Sequence, residues 1–219
     1  MSGTFSKRSF THAILAFVCL AMASGTFAAG ISTDGERLAR LLDSMHVEAH
    51  WPAGVHVNWE TGVPDGRTET TEGMHTHCSA FVAAAAKQLG ISILRPPEHG
   101  QILLANAQYD WLADSRATHG WQALTDAKSA QGYANRGWLV VATYRNHQDN
   151  KPGHIAIVRP STKSDRAVES EGPQVAQAGS VNYGSTSLAQ GFAGHSAAWG
   201  QHEVRFYAHV VDWAHAGVP

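Results

Sequence analysis

Two segments in the first half of the chain have helical patterns of apolar residues. Within residues 34–45 the leucines recur every three or four positions, which predicts an amphipathic helix. Residues 78–89 are rich in alanine and nearly uncharged, so this helix is predicted to be buried on most sides. Thr76 suits its N-cap and Gly90 the position after its last turn. Further helices are predicted over residues 100–112 and 126–135.

The second half of the chain changes to a β-forming pattern. Residues 137–144 form a continuous apolar and aromatic run, and residues 153–158 form a second run that stops before Pro160. The polar residues 161–172 are predicted to be a hairpin loop, and residues 173–178 and 203–211 to complete a sheet of four or more strands. Helices followed by strands indicate an α+β fold, with the N-terminal helices packed on an antiparallel sheet.

The first 28 residues have the pattern of an export signal. Lys7 and Arg8 precede an apolar run over residues 13–23, and small residues follow up to Ala28. That run is too short to cross a bilayer, and no later run is long and apolar enough. We therefore expect a signal peptide over residues 1–28, a single domain over residues 29–219, and a secreted or periplasmic protein without a transmembrane segment.

The charge of the chain argues against a nucleic-acid partner. It has 16 basic and 18 acidic residues, for a formal charge of −2. Proteins that bind nucleic acids usually concentrate positive charge on one face, and no such excess is present.

Cysteine usage points to chemistry at one position. The chain has two cysteines, Cys19 within the predicted signal and Cys78. A single cysteine kept in an oxidising compartment has either a chemical role or an inert, buried position. Cys78 opens the alanine-rich helix, where free backbone N–H groups and the helix dipole favour a thiolate and can hold an oxyanion.

A base and a group that orients it can be assigned on the predicted strands. His154 begins a strand after Gly153, which lets another part of the backbone approach closely. If residues 153–159 and 173–178 form a hairpin, Gln177 lies near His154, with Gln174 and Asn182 as alternatives because the register is open. Cys78, His154 and Gln177 are therefore the candidate nucleophile, base and orienting residue.

Two motifs resemble the papain-like NlpC/P60–CHAP superfamily of cysteine peptidases and amidases. The segment from His77 to Val82 resembles the motif in which a cysteine starts a buried helix, and the segment from Pro152 to Val158 resembles the Gly-His motif before an apolar strand. The resemblance implies a papain-like fold and cleavage of amide bonds in peptidoglycan peptides, without a metal or cofactor. It makes peptidoglycan or a peptide the expected partner, and leaves a protein inhibitor open.

The 14 histidines allow a different reading, a non-catalytic module that binds the cell wall or a metal ion. His75, His77 and Cys78 are potential zinc ligands, which His56, His99 or His195 could complete, but no His-Glu-x-x-His pattern is present. Trp51 and Trp59 lie in the long polar loop over residues 50–74. They could wall a substrate cleft or pack within the loop.

Overall fold

The computed structural model describes residues 30–68, 75–114 and 119–217. The predicted signal peptide lies outside the described residues. In chain order the elements are α1 (Thr33–Ser44), α2 (Cys78–Gln88), α3 (Leu104–Ala113), β1 (Trp121–Leu124), α4 (Ala127–Asn135), β2 (Leu139–Tyr144), β3 (His154–Val158), α5 (Asp165–Glu171), β4 (Gln174–Gln177), β5 (Tyr183–Ser187), α6 (Leu188–Gly191), α7 (Ser196–Gly200) and β6 (Arg205–His209).

The six strands form one open antiparallel sheet in the order β1-β6-β2-β3-β4-β5. The central strands β2 and β3 are buried along their whole length, as their continuous apolar sequences predict. They pair with Val141 opposite Ile157 and Tyr144 opposite His154. The chain is thus a mixed α/β protein, and the predicted antiparallel sheet is present.

Strand alternation divides the core into two layers. On one face, Ile155 and Ile157 pack in a cluster with Leu139 and the residues of α1 and α2. On the other face, Ala156 and Val158 pack with residues of α4, α6 and α7. Because successive side chains of a strand point to opposite faces, one buried strand supplies both layers.

The predicted helices over residues 34–45, 78–89, 100–112 and 126–135 are confirmed as α1, α2, α3 and α4, with small shifts at their ends. Every residue from Cys78 to Ala86 is buried, as the alanine-rich pattern predicts. Gly90 follows the C-cap residue Leu89 and has a φ of +69°, a left-handed conformation in which glycine has no steric penalty.

Three local predictions were wrong or incomplete. Residues 161–172 are not a simple hairpin loop, because α5 forms there with the Ser164 hydroxyl capping it and Val168 buried. The N-cap of α2 is His77, whose side chain makes no capping hydrogen bond, and not Thr76. Strands β1 and β5 were missed, since both are short edge strands with little apolar alternation.

Trp51 belongs to the core and does not wall a cleft. Its side chain is 1% exposed and its ring meets Phe81 of α2 edge-on at 5.3 Å. A Cβ on Gly62 would lie 2.2 Å from the indole, so only glycine fits beneath it. Trp59 is partly buried against the same cluster, and its ring lies 5.4 Å from the ammonium of Lys87. Both tryptophans therefore anchor the loop before α2.

Candidate active site

The start of α2 places the Cys78 sulfur against β3. Sγ lies close to the backbone N–H groups of Ser79, of Cys78 itself and of Ile155, and to the hydroxyl of Thr76. The N–H of Ile155 belongs to the peptide bond that joins it to His154. The candidate nucleophile therefore sits beside the backbone that carries the candidate base.

At the start of β3, the backbone N–H of Ile155 is available to the Cys78 sulfur. Arg159 donates its N–H to the carbonyl of Gln174 across the β3–β4 pair, so the odd-numbered residues of β3 direct their N–H groups toward β4. The pairing of these strands covers only Ile157 with Ala176 and Val158 with Val175. Ile155 lies beyond that paired region, and its N–H faces the sulfur instead of a β4 carbonyl.

Gly153 and Asn106 set the position of His154. The Gly153 N–H donates to Asn106 Oδ1 at 2.8 Å, and Asn106 Nδ2 donates to the carbonyl of Lys151 at 2.9 Å. A Cβ on Gly153 would lie 2.0 Å from the carbonyl oxygen of Tyr144 and 2.6 Å from Asn106 Oδ1. Only glycine fits between these atoms. Sequence reasoning missed Asn106, although a buried asparagine in the apolar helix α3 was a signal for such a role.

Gln177 is next to His154, as the hairpin prediction required. His154 Nε2 and Gln177 Oε1 are 2.6 Å apart, and Gln177 Nε2 donates to the carbonyl of Val181 at 3.3 Å. A carbonyl can only accept, so Val181 holds the amide with its oxygen toward His154. His154 therefore donates from Nε2, which leaves Nδ1 with a lone pair that can take a proton.

The two alternatives to Gln177 lie elsewhere. Gln174 donates from its side chain to the Ser185 hydroxyl. Asn182 donates from Nδ2 to the carbonyls of Val47, His50 and Trp51 at 2.9, 2.8 and 3.1 Å. Asn182 thus connects the loop after α1 to the sheet, and among the described residues neither side chain bonds to the imidazole of His154.

Burial controls the charge state of the candidate dyad. Cys78 is 4% exposed and His154 5% exposed. Burial raises the pKa of the Cys78 thiol, and the nearby N–H groups and Thr76 hydroxyl offset it only in part. Burial also lowers the pKa of His154, although the hydrogen bond to Gln177 opposes this change. Both shifts favour a neutral thiol and a neutral imidazole. Desolvation at Cys78 thus opposes the thiolate that the helix start is expected to favour.

The Cys78 side chain packs in the layer of α2, and the His154 ring lies in the other layer of the sheet. The His154 ring packs edge-on against Phe192 at 4.6 Å, in the layer of Ala156 and Val158, whereas Ile155 packs in the layer of α2. Within the described residues no hydrogen bond joins Sγ to the imidazole. In this conformation a proton transfer between them requires a rearrangement of the chain around the site.

A second imidazole covers His154. His195 lies 5.6 Å from it between ring centroids, with 25° between the ring planes. Sequence reasoning named His195 only as a possible metal ligand, and its place near His154 depends on the turn between α6 and α7.

Among the described residues, no group of three or more His, Cys, Asp or Glu side chains is arranged to hold a metal ion. His77 instead pairs its Nε2 with the carbonyl of Val55 at 2.9 Å.

Two large cavities of the described structure lie away from these residues. The larger, about 820 Å³, is bounded by β1, β6 and the start of α4, and the smaller, about 400 Å³, by the end of α1 and β5. Cys78, His154 and Gln177 line neither. All three side chains are buried.

The buried histidines predict a pH dependence of stability. Burial lowers the pKa of His154 and, together with the nearby His154, lowers the pKa of His195 to about 4, against 6.5 for an ordinary histidine. Below pH 6.5 the unfolded chain binds protons that the folded protein does not, so stability is full above pH 6.5 and is lost as the pH falls. A histidine kept neutral contributes up to about 1.4 kcal/mol per pH unit.

We therefore expect the free energy of unfolding in urea to fall between pH 7 and pH 5. His195→Phe should reduce this slope, whereas His99→Gln, at an exposed position, should leave it unchanged. A free energy of unfolding that stays constant over this pH range would contradict the prediction.

The structure is a mixed α/β protein with an open antiparallel sheet, a buried His154–Gln177 pair, and the Cys78 sulfur against the backbone N–H of Ile155. No protein-family model matches the chain, and no curated protein matches it. Within the described residues, no helix has the length and apolar character needed to span a membrane.

Proposed function

We propose that this protein is a cysteine-dependent amide hydrolase of the papain-like NlpC/P60–CHAP kind, with Cys78 as nucleophile, His154 as base and Gln177 as the residue that orients the base. The observation that carries the proposal is the contact of the Cys78 sulfur with the His154–Ile155 peptide, combined with the Nε2–Oε1 hydrogen bond of 2.6 Å that leaves His154 Nδ1 free.

The neutral resting pair requires the base to act during attack. Sγ attacks the amide carbonyl carbon as His154 Nδ1 takes the thiol proton, and the charge on the substrate oxygen develops near the N–H groups at the start of α2. The imidazolium then returns its proton to the leaving amine nitrogen. Water hydrolyses the thioester by the same route in reverse, which releases the carboxylic acid and restores the thiol.

Gln177 orients the imidazole without adding charge. Its amide oxygen accepts from Nε2 both when the ring is neutral and when it is an imidazolium, so the ring keeps its plane through the proton transfer. The hydrogen bond to Gln177 raises the pKa of His154, but a neutral partner raises it less than a carboxylate would. This agrees with a base whose pKa lies below the ordinary value.

The substrate we propose is a peptide of the bacterial cell wall. The proposal rests on the resemblance of the two motifs to NlpC/P60–CHAP enzymes and on the predicted export signal. The mildly acidic chain, with a formal charge of −2, has no basic excess that would favour a polyanion.

One observation favours a second function. Cys78 is nearly inaccessible and burial raises its pKa, as expected for an inert, structural thiol. The alternative is a non-catalytic module, related to hydrolases, that binds the cell wall. It predicts binding to sacculi without release of fragments.

Digestion of purified sacculi tests the proposed function. The protein should release soluble fragments with new amino and carboxyl ends, identified by mass spectrometry, and EDTA should leave the yield unchanged. Protein carrying Cys78→Ala, purified in the same way, is the matched control and should release none. Loss of cleavage in EDTA, new reducing sugar ends, or equal release by both proteins would refute a thiol-dependent amidase.

A further inference from the structure

The His154 imidazole is enclosed by two rings from the segment that joins α6 to α7. Phe192 meets it edge-on, at 4.6 Å and 78° between ring planes, and His195 stacks over it at 5.6 Å and 25°. Gln177 Oε1 accepts the hydrogen bond from Nε2 of the same ring. Three neighbours therefore set the orientation of the His154 ring. Only one of them, Gln177, has a role in the proposed mechanism.

His195 is itself held in place by backbone and ring contacts. Its N–H donates to the carbonyl of Phe192 at 2.8 Å, and its carbonyl accepts from the N–H of Ala198 at 2.8 Å. The ring also packs against Tyr144 of β2 at 5.3 Å. Because the backbone bonds do not depend on the imidazole, the side chain can be changed while the turn keeps its hydrogen bonds.

We propose that His195 is a positioning residue for His154, whose stacked ring holds the imidazole in the plane that meets Gln177 and keeps water away from it. The inference rests on the proposed function, since it assigns a role toward the base of that reaction. Neither contact with substrate nor proton transfer is assigned to His195.

The charges around the pair suit this role. The titratable groups that face His154 are His195, which stacks on it, and Tyr144, its partner across the β2–β3 pair, while Gln177 is neutral. Burial and the neighbouring His154 lower the pKa of His195 to about 4. His195 is therefore uncharged at neutral pH and does not repel the imidazolium that forms on His154 during the reaction.

Two more polar side chains, His147 and Glu203, lie on the far side of Tyr144. The ring of Tyr144 lies 6.3 Å from that of His147, and His147 Nε2 is 2.9 Å from a carboxylate oxygen of Glu203. This pair is at the surface and does not contact the His154 ring.

Two kinds of substitution at His195, one that removes the ring and one that keeps an apolar ring, distinguish a positioning role from a role in proton transfer. In His195→Ala and His195→Asn we expect water to reach the His154 imidazole and the His154 ring to rotate more freely. The pKa of His154, measured by NMR of the full-length protein, should rise toward 6.5, and kcat on released cell-wall peptides should fall by about tenfold to a hundredfold with little change in KM. His195→Phe should restore both the low pKa and most of kcat, because it keeps a stacked apolar ring. His99→Gln is the exposed control.

The NMR measurement decides the inference even if the wild-type protein cleaves nothing, so the two failures can be told apart. An unchanged pKa of His154 in both ring-free variants would overturn the inference. If His195→Phe loses as much kcat as His195→Ala, the imidazole itself is required, and the positioning role is wrong. If His195→Ala does not fold, His195→Asn supplies the same comparison.

Discussion

Replacing Cys78 by alanine is expected to reduce amide cleavage by about three to six orders of magnitude. Sγ is the atom that forms the thioester, and removing a nucleophile disables the remaining residues that act with it. Serine should not restore the activity, because a neutral hydroxyl is a much poorer nucleophile than a thiol beside the same base. The measurement is the rate of release of a defined cell-wall peptide at pH 7 by each protein.

The control for this prediction is the stability of the variant. Sγ is buried at the start of α2, so its removal leaves a small cavity and should cost about 1–2 kcal/mol in the free energy of unfolding. Wild-type and Cys78→Ala proteins should have the same circular dichroism spectrum, and the urea midpoint of the variant should be lower only by the amount that this cost predicts. Cleavage by Cys78→Ala within tenfold of the wild-type rate would remove the sulfur from the mechanism.

Replacing His154 by glutamine is expected to lower kcat by about 10²–10⁴-fold, the usual contribution of a general base. Glutamine approximates the size of histidine and can still pair with Gln177, but it cannot take a proton from the thiol. In the wild-type protein, activity should fall on acidification only below pH 6.5, because the pKa of His154 is lowered and the base stays neutral until then. The variant should lack this acid limb.

Substrate binding separates this effect from a general loss of structure. KM for the released peptide should change little in His154→Gln, since the imidazole acts mainly in the transition state. His99→Gln, at an exposed position away from the site, should match the wild type in kcat and KM. A His154→Gln protein that keeps its full rate and acid limb would assign the base to another group.

The closed state of the site has a consequence for both measurements. Gln177 is 2% exposed, and Cys78 and His154 hardly more, so a bound substrate requires a rearrangement of the chain around them. The rates above therefore include that opening step in every variant. The variants are therefore compared at the same pH and with the same substrate.

Much of the secondary structure near the site could be predicted, because its signals are local. Alanine-rich α2 has to be buried, and the apolar runs of β2 and β3 have to be central strands, whatever surrounds them. Strand β5 and helix α5 were outside the reach of such reasoning. Their sequences have no strong periodicity, and neighbouring strands and the Ser164 cap stabilise them.

The choice among Gln177, Gln174 and Asn182 shows where sequence reasoning stops. All three are polar residues after β3, and a shift of one residue in register exchanges the faces of a strand. The observed pairing of Ile157 with Ala176 brings Gln177 to His154, and the irregularity between β4 and β5 at Val175 and Gln177 turns Asn182 toward the loop after α1. Register is a property of the whole sheet, so no single segment encodes it.

By itself, the sequence determined the helix that Cys78 begins, the strand that His154 begins, and the glycine required before it, since these depend on composition and spacing over a few residues. Only the tertiary structure decided that the sulfur meets the His154–Ile155 peptide, that Gln177 pairs with Nε2, and that Phe192 and His195 enclose the ring. It also determines the burial that raises the pKa of the Cys78 thiol. The free energy of a charge depends on how much water the folded chain removes from around it, and that quantity exists only once distant segments pack together.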